Sequence, residues 1–349
     1  MSRTIDFRYV VMRNNADVCV INPASGSSPT VRMDDSAEIK MSLTGSFVQN
    51  ESVNWLSDRI RAEMIIDGVT YPIGIFLPAT VRVTETETGR QIAVEAYDQC
   101  WLVRDFSTEN RVVINSGANY ITAIQQLLLE AGIVLMAATP TTETLAEVRA
   151  DWEVGTSYLT IVNQLLSEIN YKQLWFNSSG VAVLEPKQAP SAENIQHTLD
   201  ANDVKNLIYP QIGRETDIFS APNVFICIVT NPDKASNMVA TAENDHINSP
   251  LSTRRRGRKI VSTVFLDNIA SQAALEAYAK NLVTASMYAG ETVEIYTGLL
   301  PGFGVADVIG LNVPDAFGVC IEHSWEMTLS NGGQMHHTME RVVYQYGTD

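Results

Sequence analysis

Residues 151–186 read DWEVGTSYLTIVNQLLSEINYKQLWFNSSGVAVLEP, and this segment predicts a helix followed by a β-hairpin. Apolar residues recur at helical spacing over Tyr158–Ile169, and Thr156 or Ser157 stands where a side chain can cap the first turn. The segments QLWF and VAVL then flank a turn at Asn177–Gly180. A one-sided helix needs an apolar surface to cover it, and the hairpin can supply that surface. The segment therefore predicts a compact α/β unit.

A second helix precedes this segment. Ile121, Ile124, Leu127, Leu128 and Ala131 share one helix face, and Gly132 follows where helices commonly end. Pro186 and Pro190 end the unit on its other side. We therefore predict an α/β domain over residues 109–190.

Residues 1–108 show the period of two that half-buried strands require. In Glu38–Phe47 apolar and polar residues alternate, and Asp67-Gly68 and Thr88-Gly89 stand between alternating segments as hairpin turns. Roughly six short strands at this spacing predict a small barrel or sandwich.

The strand pattern returns over residues 191–349. Asn223–Thr230 reads as an apolar strand between two prolines, and strands resume at Thr292–Thr297. Between them we predict a long polar loop at 231–259 and an embedded helix at 271–286. The chain is thus predicted to be α+β and mainly β, in the order β, α/β, β.

Composition limits the classes of function. The formal charge of the 349 residues is −16, which argues against a protein that holds nucleic acid by neutralising phosphates. Only 18% of residues are charged against 45% hydrophobic, which predicts surface buried in subunit interfaces. No apolar segment reaches the roughly 20 residues of a membrane helix. Charges at Arg3, Asp6 and Arg8 exclude a secretory signal at the start, and four widely spaced cysteines suggest reduced thiols in a cytoplasm.

Catalytic, metal and cofactor motifs are not found. Gly155-Thr-Ser157 lacks the closing glycine of a nucleophile elbow. His336 and His337 are neighbours in a predicted strand, so their side chains should point to opposite faces and not share a metal. We therefore predict that His336 and His337 are surface or interface histidines. Strand alternation likewise separates His323 from Glu322, so we predict that His323 is a structural histidine and that there is no catalytic site.

The densest charge feature is a basic loop of five cations within six residues. Its members are Arg254, Arg255, Arg256, Arg258 and Lys259. Because the rest of the chain is strongly acidic, we expect this loop to contact an acidic protein partner rather than nucleic acid.

Two sets of residues together resemble a known family. The first is Asp151–Tyr171 with Leu174-Trp-Phe, Gly180 and Leu184-Glu-Pro186; the second is Ser249–Ser252, Gly257-Arg258, Ile260, the helix 271–286, Pro301 and Asp307–Ile309. Their order and spacing resemble the central baseplate or tail-tip hub proteins of phage tails and phage-tail-like particles, such as contractile injection systems and tailocins. The resemblance covers 111–186 and 249–345, whereas residues 1–106 match in pattern only.

This resemblance implies two tail-tube-like β-barrel domains, 1–108 and 191–349, around the α/β domain. It implies a homotrimer whose ring joins a sixfold tail tube protein to a threefold spike or tip, with the tape measure and other baseplate proteins as further partners. DNA would pass through the channel without specific binding. The implied location is the virion tail, assembled in the host cytoplasm, and no enzymatic activity, cofactor or membrane contact is implied.

Two other functions remain open from sequence. A tail-associated cell-wall hydrolase needs two carboxylates across a cleft, and Asp151 and Glu153 are candidates. A receptor-binding tail-tip module should display aromatic clusters in loops, whereas the five tryptophans lie in or beside periodic segments that predict core packing.

Overall fold

The computed structural model describes residues 3–86, 89–108, 110–188, 190–215, 219, 221–229, 238–266, 272–286, 290–314 and 316–342. The chain divides into two compact units. Unit 1 comprises Met1–Gln211, Ile295–Phe317 and Ile321–Thr338, and unit 2 comprises Ile212–Glu294, Gly318–Cys320 and Met339–Asp349.

Unit 1 begins with a run of antiparallel strands. These are β1 (Ile5–Arg13), β2 (Ala16–Ile21), β3 (Thr30–Asp34), β4 (Met41–Val48), β5 (Arg59–Ile66), β6 (Val69–Thr86) and β7 (Gly89–Tyr97). They lie side by side in the order β3-β4-β7-β6-β5-β1-β2, so β2 is an end strand. Alternating residues of β4, among them Met41, Leu43 and Phe47, are buried, as the period of two predicts.

The hairpin predicted at Asp67-Gly68 is confirmed. Both residues have positive φ, 49° and 84°, as a tight turn that follows the strand twist requires. β6 and β7 also form an antiparallel hairpin, with Thr86 opposite Gly89. Thr88 of the second predicted turn lies outside the described residues.

The α/β part of unit 1 contains α1 (Cys100–Asp105), α2 (Tyr120–Glu130), β8 (Met136–Ala138), α3 (Tyr158–Glu168), β9 (Trp175–Phe176) and β10 (Ala182–Leu184). Both predicted helices are confirmed. The Ser157 side chain accepts a hydrogen bond from the Thr160 N–H at 3.2 Å and so caps α3. β10 pairs antiparallel with β9, as predicted, and parallel with β8.

The helix α1 was not predicted, because residues 1–108 were expected to form strands. Asp98 lies just before this helix, and its carboxylate accepts the Cys100 N–H at 2.8 Å and the Met41 N–H at 3.0 Å. The second contact joins residues 57 positions apart in the chain, so no local pattern could show it.

The rest of the chain adds β11 (His197–Asp200), β12 (Ile212–Glu215), β13 (Val224–Val229), β14 (Met238–Glu243), α4 (Thr253–Arg256), β15 (Val261–Leu266), α5 (Gln272–Ser286), β16 (Gly290–Gly298), β17 (Val308–Val313), β18 (Ala316–Thr328) and β19 (Gln334–Val342). In unit 1, β11 pairs parallel with β17, and residues 324–328 of β18 pair antiparallel with β3. In unit 2, α5 covers one face of a sheet of order β14-β13-β15, and Cys227, Leu275 and Ala279 belong to its core. The predicted embedded helix is therefore confirmed.

The long loop predicted at 231–259 is wrong in part. β14 and α4 lie within it, and residues 231–237 are outside the described part of the chain. β14 pairs antiparallel with β13, from Val224 opposite Glu243 to Val229 opposite Met238. This pairing supplies the backbone hydrogen-bond partners that the edge of β13 needs. Ser252 caps the start of α4, and Gly257 ends it at φ +63°.

The described residues contain no helix that is both long enough and apolar enough to span a bilayer. The predicted boundaries 1–108, 109–190 and 191–349 stay a prediction.

Candidate interaction loop and buried polar clusters

The structure gathers the five cations of the basic loop within unit 2, around α4. Arg254 lies 3.2 Å from Asp245, and both side chains are exposed by more than three-fifths. The Arg255 Nε donates to the Ile247 carbonyl at 2.9 Å. These two arginines are therefore on the surface, held by weak, solvated contacts.

The other three cations are tied more closely to unit 2. Arg256 donates to the carbonyls of Ala221 and Phe219, each at 2.6 Å, and Arg258 donates to the Phe219 carbonyl at 3.0 Å. The Arg258 guanidinium also lies 4.2 Å from the centre of the Phe219 ring. Two of the loop's cations thus bind the backbone of Phe219 and Ala221.

Lys259 forms an ion pair with Glu243 of β14. Its hydrogen bond, followed by that of Thr253, lowers the pKa of the Glu243 carboxyl. Among the described residues, two carboxylates contact the loop in ion pairs, Asp245 with Arg254 and Glu243 with Lys259.

His336 and His337 point to opposite sides of β19, as predicted. His337 is fully buried, and its Nδ1 is hydrogen-bonded to the equally buried Glu322, while its Nε2 lies 3.0 Å from Thr297 Oγ1. The His336 ring stacks on Tyr296 at 4.5 Å. Burial raises the pKa of the Glu322 carboxyl although His337 opposes the shift.

The partner of Glu322 is thus on another strand, not its neighbour His323. His323 instead contacts Asp35, with 2.7 Å between Nδ1 and Oδ2. The prediction that His336 and His337 are surface or interface histidines is wrong for His337, which is fully buried. The sequence did contain a sign that His337 is buried. Met335, His337 and Met339 are alternate residues of one strand and so lie on the same face, and both methionines are apolar and buried.

The candidate hydrolase pair is not arranged for acid catalysis. Arg149 donates two hydrogen bonds to Asp151, at 2.8 and 2.9 Å, and these lower the pKa of the Asp151 carboxyl. A general acid needs a raised pKa, so Asp151 does not fit that role. Glu153 is exposed.

Among the described residues no group of three or more histidine, cysteine, aspartate or glutamate side chains is placed to hold a metal ion. Of the cations, histidines and carboxylates that the sequence singled out, only those of the basic loop form one surface cluster.

No protein-family model matches the chain, and no curated protein matches it in sequence. Solved structures do match in fold. A tail protein from Neisseria meningitidis MC58 superposes with a TM-score of 0.66 at 13% identity, over 96% of each chain. The 43 kDa tail protein of prophage MuSo2 from Shewanella oneidensis superposes with a TM-score of 0.66 at 9% identity, over 97% of this chain and 98% of that one.

The chain therefore has the fold of phage tail proteins, over nearly its whole length. A third matching structure comes from a type VI secretion system. The E. coli c3393 protein, a type VI secretion system component described as structurally similar to the T4 phage tail proteins gp27 and gp5, superposes with a TM-score of 0.51 at 10% identity, over 99% of this chain and 77% of that one. The resemblance found in the sequence is confirmed at the level of the fold.

Proposed function

We propose that the protein is a non-enzymatic structural hub of a phage tail or phage-tail-like particle. The observation that carries the proposal is the fold, which is shared with two phage tail proteins over at least 96% of this chain. The acidic, apolar-rich composition supports it, because a subunit of a closed ring hides apolar surface against its neighbours.

The proposed assembly is a homotrimeric ring. Residues 1–108 and 191–349 act as two related tube-like domains in each subunit, so that three subunits present six similar domains to the hexameric tail tube. The threefold symmetry of the same ring matches a spike or tip protein on the other side. Tape measure and other baseplate proteins are further proposed partners.

Exposed end strands are the proposed contacts between subunits. In unit 1, β2 ends its sheet, and its side chains Val18 and Val20 are 41% and 47% exposed. In unit 2, β15 ends the three-stranded sheet, with Val261 52% and Phe265 68% exposed. An unpaired strand edge with apolar side chains favours pairing with another chain, and ring closure hides it.

The channel of such a ring would let DNA pass without binding it. Each subunit contributes a formal charge of −16, and an acidic wall repels phosphates instead of retaining them. The basic loop is then proposed to contact an acidic neighbouring protein.

Lysine substitutions at the two end strands test the subunit contacts. Val20→Lys on β2 and Phe265→Lys on β15 replace exposed side chains, so each variant should fold like the wild type by circular dichroism. We expect each to reduce the fraction of rings in negative-stain images recorded at micromolar concentration, alone or with the spike, whichever condition gives rings of the wild type. Val154→Lys, at a residue 61% exposed outside both strands, is the matched control. Unchanged ring populations in both strand variants would refute these contacts.

Charge reversal tests the basic loop. Arg254→Glu combined with Arg255→Glu changes the two outward arginines and leaves Arg256, which donates to the carbonyls of Phe219 and Ala221, in place. We expect weaker co-purification with the spike, tube or other baseplate partner that contacts the loop, and a smaller effect at high salt. Lys205→Glu, at an exposed lysine of unit 1, is the control. Partner binding that is unchanged in the double variant would contradict the assignment.

A further inference from the structure

Unit 1 contains a cavity of about 360 Å³ whose wall carries an excess of cations. We name it the lysine pocket, after the side chains of Lys40, Lys172 and Lys187 that line it together with Gln173, His323 and Asp35. These residues come from three segments that are far apart in the sequence, near residues 40, 180 and 320.

Lys40 is the buried cation of this pocket. It is only 2% exposed, and its ammonium donates to the carbonyls of Asp35 and Ala37, at 2.7 and 2.5 Å, and to Gln173 Oε1 at 2.7 Å. All three acceptors are neutral, so they satisfy the donors without cancelling the charge. Burial lowers the pKa of the Lys40 ammonium, and nearby negative groups oppose the shift, namely Cys100, Asp35, Asp34 and Asp98. An anion in the adjoining cavity would stabilise its charged form.

Lys172 and Lys187 add to the positive charge. Lys172 lies 2.9 Å from a Glu185 oxygen and donates to the Val305 carbonyl at 2.9 Å, while Lys187 is exposed. On the acidic side, Asp35 lines the pocket and contacts His323, and Glu185 adjoins it. The wall itself thus carries three ammonium groups against one carboxylate, Asp35. Glu185 contacts Lys172 from outside the wall, and Asp34 and Asp98 act on Lys40 without lining the cavity.

Apolar residues complete the wall. Val305, Ala306 and Ile321 line the same cavity as the lysines. A wall that joins cations to apolar surface suits a carboxylate at the end of an aliphatic stem better than a fully hydrated phosphate. The volume lies near the lower end of the range for small-ligand sites, which is enough for one or two side chains.

We propose that the lysine pocket binds an acidic peptide segment of a partner protein, which inserts a glutamate or aspartate side chain between Lys172 and Lys187. This site is separate from the basic loop, which belongs to unit 2. A bound segment would connect the three parts of the wall and so stabilise unit 1 by linkage. The pocket can bind a peptide whether or not the protein forms a ring, so failure of one proposal leaves the other standing.

The test uses the full chain and a synthetic probe. The probe is an acetylated, amidated peptide of alternating glutamate and glycine, and its control replaces each glutamate with glutamine. We expect the acidic peptide to bind in isothermal titration calorimetry and to raise the melting temperature, and the glutamine peptide to do neither. Lys187→Glu should weaken binding about tenfold, because reversal of one charge at the site removes an attraction and adds a repulsion.

Two further variants keep the test decisive. Lys205→Glu makes the same charge change at an exposed lysine that does not line the pocket and should bind like the wild type. Lys172→Gln should also weaken binding. Equal affinity in Lys187→Glu and Lys205→Glu would overturn the proposal, as would equal binding of the glutamine peptide. Inorganic phosphate that binds as tightly as the acidic peptide would identify a site for small oxyanions and would also overturn it.

Discussion

The buried carboxyl group of Asp98 predicts a specific pH dependence of stability. Asp98 is 2% exposed and accepts hydrogen bonds from the backbone N–H groups of Met41 and Cys100. Burial raises the pKa of this carboxyl to about 6, although both hydrogen bonds act in the opposite direction. The ordinary value is 3.8, so the folded protein binds this proton more tightly than the unfolded chain does.

The sign and size of the effect follow from linkage. A raised folded-state pKa contributes stability that is fully present below about pH 4 and is lost as the pH rises through about 6. The pKa rises from 3.8 in the unfolded chain to about 6 in the folded protein, and a tenfold change in proton affinity corresponds to about 1.4 kcal/mol. The folded state therefore loses about 3 kcal/mol of stability over this pH window. Other carboxyl groups, such as Asp58 beside Arg13, have a lowered pKa and contribute with the opposite sign. The prediction therefore concerns the difference between the wild type and a variant.

Asp98→Asn removes the titrating group. The two carboxylate oxygens of Asp98 each accept one backbone N–H, whereas the asparagine amide has a single oxygen. The loss of one acceptor should lower the free energy of unfolding by about 1–3 kcal/mol at every pH. Relative to the wild type, however, its free energy of unfolding should increase by about 3 kcal/mol between pH 3.5 and pH 7. Urea unfolding followed by tryptophan fluorescence at several pH values measures this difference. Asp105→Asn makes the same substitution at an exposed aspartate and is the control. A difference for Asp98→Asn that is constant across the range would refute the reasoning.

Three further predictions concern the α/β part and the absence of catalysis. Ser157→Ala removes the cap of α3 and should lower the free energy of unfolding by about 1 kcal/mol in urea titrations, whereas an unchanged value would mean that the cap is unimportant. Leu165→Ala, in the fully buried face of α3, should cost about 2–5 kcal/mol, against less than about 0.5 kcal/mol for the exposed Val154→Ala. The purified protein should not clear bacterial cell walls; clearing that a single carboxylate substitution abolishes would establish a hydrolase instead.

Elements set by local sequence were predictable. The helix α3 combines an apolar face, a capping serine and a following turn within residues 157–180, and each of these signals is independent of the rest of the chain. The same holds for the hairpin at Asp67-Gly68, since positive φ at the turn depends on residue type.

Elements set by distant contacts were not predictable. The helix α1 begins where Asp98 meets the backbone of Met41, and β14 forms opposite β13 although its sequence, MVATAE, lies in a polar segment. The lysine pocket is an extreme case, because its wall joins segments separated by more than a hundred residues. No pattern within one segment shows that Lys40 is buried beside Gln173.

The basic loop illustrates an intermediate case. The sequence shows the run of cations, but it does not show which of them face solvent and which contact other residues of unit 2. The structure separates Arg254 and Arg255, which face solvent, from Arg256 and Arg258, which support Phe219 through its carbonyl and ring. Any charge-reversal experiment depends on that distinction.

Negative-stain class averages show directly whether the protein forms a trimeric ring, because they give the symmetry of the particles. We would image the purified protein at micromolar concentration, alone and after mixing with the spike protein of the same particle. We expect a threefold ring with a central hole, formed alone or on the spike. Compact single particles under both conditions would contradict it.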